Sequence, residues 1–202
     1  MAKKLESTFV NMVVVLSVVA MIAGFALGEV YTVTKAPIEQ AALKKKLEAI
    51  SKVTPTFDND PNSEMFKMAA FEPKAGLDSI EVYPAKKDGK VVGYAVKSYT
   101  MNGFSGLIEL MVGFNVDGSI VNYSVLFYAE TPGLGTKIPD WFSNTNKPNQ
   151  CIIGKNPSTS NMTVSKDGGD IDAITAATIS SRAFLDAVNR AYKTLEQGGK
   201  YE

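Results

Sequence analysis

Near the C-terminus the chain reads Asp172-Ala173-Ile174-Thr175-Ala176-Ala177-Thr178-Ile179-Ser180-Ser181, a hydroxyl-rich run of small residues that leads into a helical pattern. Thr178 falls at or just before the start of that helix. Unpaired backbone N–H groups and the positive end of the helix dipole favour a phosphate there, so the segment offers both an attachment oxygen and an anion site. The plainer reading is a capped helix, with Ser180 or Ser181 as the cap.

The helix is expected because Phe184, Val188, Ala191 and Leu195 recur at three- and four-residue steps, with Arg182, Asp186, Asn189, Arg190 and Lys193 mostly on other faces. Gly198 and Gly199 are its expected stop. Upstream, Glu130-Thr131-Pro132-Gly133-Leu134-Gly135-Thr136-Lys137-Ile138 follows a β-like run and must turn. Its glycines let backbone amides approach a ligand, and Lys137 can add positive charge.

Composition narrows the chemistry. The chain has 202 residues, no His and one Cys, Cys151. A Ser-His-Asp triad, a His-based zinc site and a Cys-ligated cluster all lack their residues, so any redox activity requires an organic cofactor. Twenty-one basic residues balance 21 acidic ones, which gives no sign of a nucleic-acid partner. Asp58, Asp60 and Asn62 are spaced like part of a calcium loop, but Ser63 stands where the loop needs Gly and Ala69 where it needs Glu, so no metal is expected.

Phe9 to Leu27 is an uncharged, largely apolar run that as a helix spans roughly 30 Å, one hydrocarbon core. It exceeds the apolar region of a secretory signal, and reads as an uncleaved anchor. Lysines on both flanks leave its orientation open. Residues 1–8 form a short tail, 9–28 the transmembrane anchor, 29–53 a juxtamembrane helix whose core, Ala36 to Lys52, starts near Pro37, and 54–202 one further domain.

That domain opens on a loop, Thr54 to Ser63. Two Asp-Gly pairs then predict hairpins: Ile80–Tyr83 with Val91–Tyr99 through Asp88-Gly89, and Leu107–Val116 with Ile120–Tyr128 through Asp117-Gly118. Gly103-Phe104-Ser105-Gly106 reads as a structural turn between them. A last strand is expected near Met162 to Ser165, followed by a turn through Asp167 and Asp170. The expected fold is α+β, an antiparallel sheet with flanking helices, preceded by one transmembrane helix. Trp141 and Phe142 are core anchors or, alternatively, walls for a bound ring.

Asp172, Thr175, Ala177, Thr178 and Ser180 match the flavinylation motif of the FMN-binding domain family, which the segment resembles; Ala176 stands where that family has Gly. Glu130 to Gly135 resembles the family's second hallmark, as found in the G subunit of Rnf ion-translocating electron transport complexes and in the related C subunit of the sodium-translocating NADH:quinone reductase. In length and pattern the chain is more similar to the former. The resemblance implies FMN carried covalently on Thr178 as a phosphoester, installed from FAD by a separate flavin transferase. It implies that Glu130, Thr131, Gly133, Leu134 and Lys137 line the flavin or its phosphate with Gly135 and Ala177, that Thr175 flanks the linkage, and that Asp172 presents the loop through its carboxylate. It also implies an electron carrier with no catalytic residue of its own, joined to other subunits of a membrane complex that couples ferredoxin:NAD electron transfer to ion transport. The soluble domain would lie on the extracytoplasmic side of the cytoplasmic membrane. A pilin-like structural protein and an anchored flavin-binding sensor remain as other readings.

Overall fold

The computed structural model describes residues 8–74 and 77–198; the expected tail, apart from Thr8, and Gly199 lie outside them. The chain divides into two units between Lys44 and Lys45.

The first unit is helical. Helix α1, Phe9–Val53, begins in it and keeps Pro37 inside rather than at a start. A proline within a helix removes one backbone bond, and the hydroxyl of Thr34 donates to the carbonyl of Val30 at 2.7 Å. Phe9, Leu16, Ile22 and Phe25 are exposed. Among the described residues, α1 is the one helix long and apolar enough to cross a membrane.

The second unit is built on five antiparallel strands in sequential order: β1 Phe66–Lys74, β2 Leu77–Lys87, β3 Lys90–Gly103, β4 Gly106–Asn115 and β5 Ile120–Phe127. Asp88 and Gly89 join β2 to β3 with φ of 52° and 75°, the paired positive values that a two-residue hairpin turn of the right twist requires. The wider turn at Asp117-Gly118 closes through Ser119, whose N–H and hydroxyl both donate to the Asp117 carboxylate, at 2.9 and 2.7 Å. Phe104 and Ser105 make the tight link between β3 and β4, with Gly103 paired to Gly106.

Alternation along β4 sends Ile108, Leu110, Val112 and Phe114 to one face, where they pack with helix α3, Thr178–Gln197. The predicted stripe of α3 lies there fully buried: Phe184, Val188, Ala191 and Leu195. Phe184 stacks on Phe142, with centroids 4.3 Å apart and planes at 9°, so Phe142 is a core anchor. On the opposite face Tyr83, Ala95 and Met111 are covered by Ala49, Ile50 and Val53 from the end of α1. A Cβ on Gly113 would lie 1.7 Å from the Val53 carbonyl oxygen, so only glycine permits that approach. Both faces are therefore covered in the middle of the sheet, which explains why β4 is apolar on both sides.

Three local expectations change. Strand β1 adds an edge strand beyond the two expected hairpins. Met162 to Ser165 forms no strand: Val164 makes one isolated bridge to Ile171, and a 3-10 turn follows at Ser165–Asp167. Arg190 is buried, not outward, with its guanidinium 5.4 Å from the Tyr99 ring centroid and donating to the Phe71 carbonyl. Its long side chain ties α3 to β1 and β3, using its stem as apolar cover and its head as a donor.

Candidate functional site

The segment before α3 is pinned by burial at every third residue. Ile171, Ile174 and Ala177 enter the core, while Thr175 and Ala176 face out and Thr178 is half-buried. Asp172 is anchored through its main chain: its N–H donates to the Asn149 carbonyl at 2.6 Å, and its carbonyl accepts from Trp141 Nε1 at 2.8 Å. Its carboxylate makes no hydrogen bond among the described residues, contrary to the role expected of it. Short helix α2, Ile138–Trp141, carries that tryptophan. The Tyr123 hydroxyl holds α2 in turn, 2.6 Å from the Ile138 carbonyl oxygen, and burial pushes its ionisation well above the usual phenol range.

Ala176 has φ of 61°, the left-handed region that glycine adopts freely and alanine does not. The replacement of Gly noted in the sequence is thus a position of backbone strain. The turn also sets Ala177, not a serine, at the N-cap of α3, with no side-chain cap. Ser180 and Ser181 lie inside the first turns. The Ser181 hydroxyl accepts from Ile174 N and donates to the Ala177 carbonyl, both at 2.9 Å, and the Ser180 hydroxyl donates to Glu130 at 2.5 Å. The first helical bond runs from Ser181 N to the Ala177 carbonyl, so the N–H groups of Thr178, Ile179 and Ser180 have no acceptor within the helix.

Glu130 explains why the second glycine-rich segment comes to this place. Its carboxylate is buried, accepts from Ser180 and from Ser105 N at 3.2 Å, and so joins three parts of the chain: the β3–β4 turn, its own loop and α3. Glycines make room for it. A Cβ on Gly135 would meet Glu130 Oε2 and the Ser180 hydroxyl, each at 2.7 Å, and one on Gly103 would meet Glu130 Oε1 at 2.7 Å. The loop beyond is closed by its own bonds, Leu134 N to the Thr131 carbonyl at 3.2 Å and Gly133 N to the Thr136 hydroxyl at 2.9 Å. A turn of 3-10 helix, Gly135–Lys137, leads from it into α2.

Two cavities meet at Thr178 and Ala176. The first, about 360 Å³, is lined by Phe104, Thr131, Leu134, Gly135, Ala177, Ile179 and Ser180 as well. Its apolar side chains are open to solvent: Phe104 is 66% exposed, Ile179 49% and Leu134 36%. The second, about 390 Å³, includes Trp141, Gln150, Lys166, Asp172 and Thr175 and is more polar. Thus Thr131, Leu134, Gly135, Ala177 and Thr178 come together around one cavity, and Asp172, Thr175 and Thr178 around the other. Glu130 stands behind the first as its brace. Gly133 and Lys137 line neither.

Phe104 and Lys166 are the residues that sequence reasoning missed. A large aromatic at the tip of a two-residue turn was a usable signal, because such a tip is normally polar. Lys166 had none. Its turn is fixed by Asp167, whose carboxylate takes a fork from Arg182 at 2.7 and 2.8 Å. That fork holds the Asp167 carboxyl below its usual range and pushes the Arg182 guanidinium up.

An apolar hollow beside a polar one, with a hydroxyl and unpaired N–H groups at their junction, fits a ligand with a flat apolar body and an anionic tail. FMN has that chemistry. Residues 103–193 match the FMN-binding domain family, a span that contains both cavities. The chain is 35% identical to the G subunit of the ion-translocating oxidoreductase complex of Salmonella typhi, over 78% of this chain and 77% of that protein. It is 35% identical to the corresponding protein of Erwinia tasmaniensis, over 91% and 88% respectively, and 36% identical to that of Escherichia coli K12, over 76% and 74%.

Proposed function

Because the chain belongs to the family of ion-translocating oxidoreductase complex G subunits, we propose that it is a membrane-anchored electron carrier with FMN esterified to Thr178. Bound there, the flavin supplies one- and two-electron redox chemistry that the side chains of this protein lack. The observation that carries the reading is the placement of Thr178, a half-buried hydroxyl residue shared by an apolar and a polar cavity at the start of α3.

Thr178 Oγ1 forms the new P–O bond and gives up its proton, with FAD as donor and AMP as leaving group. A separate flavin transferase performs this step, so the chain needs no general base of its own. Phe104, Leu134 and Ile179 offer the ring an apolar bed, Thr131 and Gly135 flank it, and Thr175 borders the linkage. Gly133 and Glu130 act on the shape of the loop. Lys137, exposed and outside both cavities, adds only a distant positive charge.

Covalent attachment keeps the carrier from diffusing away and fixes its distance to neighbouring redox groups. The chain therefore works inside a complex, between ferredoxin and NAD and coupled to ion transport, with α1 in the cytoplasmic membrane and the sheet domain outside the cytoplasm. Intact mass spectrometry after coexpression with a transferase tests the central claim. The expected result is a gain equal to FMN minus water, mapped to the Thr178 peptide and absent in Thr178→Ala. A Thr178→Ala chain that keeps its covalent flavin overturns it.

A further inference from the structure

The polar cavity beside Thr178 is lined by two charged residues, Asp172 and Lys166, and Lys166 takes no part in the transfer of FMN to Thr178. Lys166 is the only cationic residue lining either cavity among the described residues. The other candidates are elsewhere: Lys137 lines neither cavity, and Arg182 is committed to the Asp167 fork. No carboxylate among the described residues forms an ion pair with Lys166.

The turn that carries Lys166 is rigid. Ser165 N donates to the Ile171 carbonyl at 2.7 Å, Asp167 N to the Val164 carbonyl at 2.8 Å and Gly169 N to the same carbonyl at 3.1 Å. A Cβ on Gly169 would lie 2.1 Å from the Thr163 carbonyl oxygen, so the turn closes against its own entry segment. Asp167 then locks it to α3 through Arg182, four residues beyond Thr178. The backbone of Lys166 is thereby held in register with Thr178, while its exposed side chain keeps the reach to enter the groove.

We propose that Lys166 is the phosphate-pairing residue of this site. Its ammonium offsets the single negative charge of a phosphodiester on Thr178, and so commits the phosphate and the polar chain to the groove of Gln150 and Trp141. The apolar cavity of Phe104, Leu134 and Ile179 is left for the ring. Two cavities on one threonine then have separate tasks, one for charge and one for the flat body. The inference rests on the FMN reading.

The test compares the full chain, wild type, Lys166→Gln, Lys166→Arg and Lys137→Gln, each made with and without a flavin transferase. Intact mass reports attachment, the gain in Tm on flavinylation reports coupling, and phosphorus-31 NMR reports the phosphodiester. The expected results are that Lys166→Gln shifts the phosphorus resonance and loses about 2–4 °C of the flavin-dependent gain. Lys166→Arg keeps most of it, Lys137→Gln keeps all of it, and the wild-type gain shrinks in high salt. Apo Tm values serve as the check on folding; Lys166→Gln that takes no flavin, with apo Tm unchanged, also supports the pairing. An unchanged resonance and gain in Lys166→Gln overturns the role of Lys166 and leaves the FMN reading standing. A wild-type chain without flavin on Thr178 overturns that reading instead.

Discussion

The Ser180 hydroxyl donates to Glu130 Oε2 at 2.5 Å, joining residues fifty positions apart, and the same carboxylate accepts from Ser105 N. Glu130→Ala therefore strips partners from a buried hydroxyl and a backbone N–H. The expected cost is about 1–3 kcal/mol in urea denaturation, together with lower flavin incorporation. Glu130→Gln, which can bond to both groups without charge, loses less. An unchanged midpoint in Glu130→Ala would show that the brace is dispensable.

Gly135 tests the same junction from the opposite side. Its Cβ position is already occupied by the Glu130 carboxylate and the Ser180 hydroxyl, each 2.7 Å away. Gly135→Ala should lower stability by about 1–3 kcal/mol through overpacking and widen the mouth of the first cavity. Thermal unfolding measures the former, and flavin fluorescence after denaturing electrophoresis measures the loss of loading.

Ala176, at φ of 61°, makes a prediction of opposite sign. Ala176→Gly relieves left-handed strain worth roughly 1–2 kcal/mol, offset in part by the greater freedom of glycine in the unfolded chain. A net gain in Tm is expected with flavin attachment retained. Ala176→Val, β-branched at the same φ, should be clearly less stable; equal Tm values for the wild type and both variants would refute the strain.

The Asp167–Arg182 fork gives a pH dependence. Hydrogen bonding to Arg182 holds the Asp167 carboxyl below its ordinary 3.8. A depressed carboxylate stabilises the fold above its unfolded value, and that contribution is lost as pH falls through the folded value. The Tm difference between wild type and Asp167→Asn should therefore be constant from neutral pH down to about pH 5, and shrink below that as the pH falls toward and through the depressed folded value. High salt should reduce it at every pH, because both groups are exposed.

What could be read before the structure was local chemistry. Asp88-Gly89 and Asp117-Gly118 announce their turns because only a few residue types tolerate positive φ, and the α3 stripe is legible because Phe184, Val188, Ala191 and Leu195 repeat at the helical period. Strand β1 was hidden because its residues include Pro73, Lys67 and Lys74, which dilute the strand pattern. Met162 to Ser165 misled in the other direction: its alternation is real, with Met162 and Val164 buried, but its neighbour is a single bridge rather than a strand. At the site, the hydroxyl at Thr178 was legible as chemistry. The brace at Glu130 and the cation at Lys166 were not, since both depend on which distant segments fold against α3.

The 1.7 Å that would separate a Gly113 Cβ from the Val53 carbonyl oxygen has a practical meaning for proteolysis. Ala49, Ile50 and Val53 belong to the sheet's second core even though they are the tail of an apolar-headed helix. A protease that nicks the chain after Val53 would release a sheet with Tyr83 and Met111 bare on one side. One that cuts before Lys45 would leave that plug seated, and the soluble fragment it frees would keep its fold.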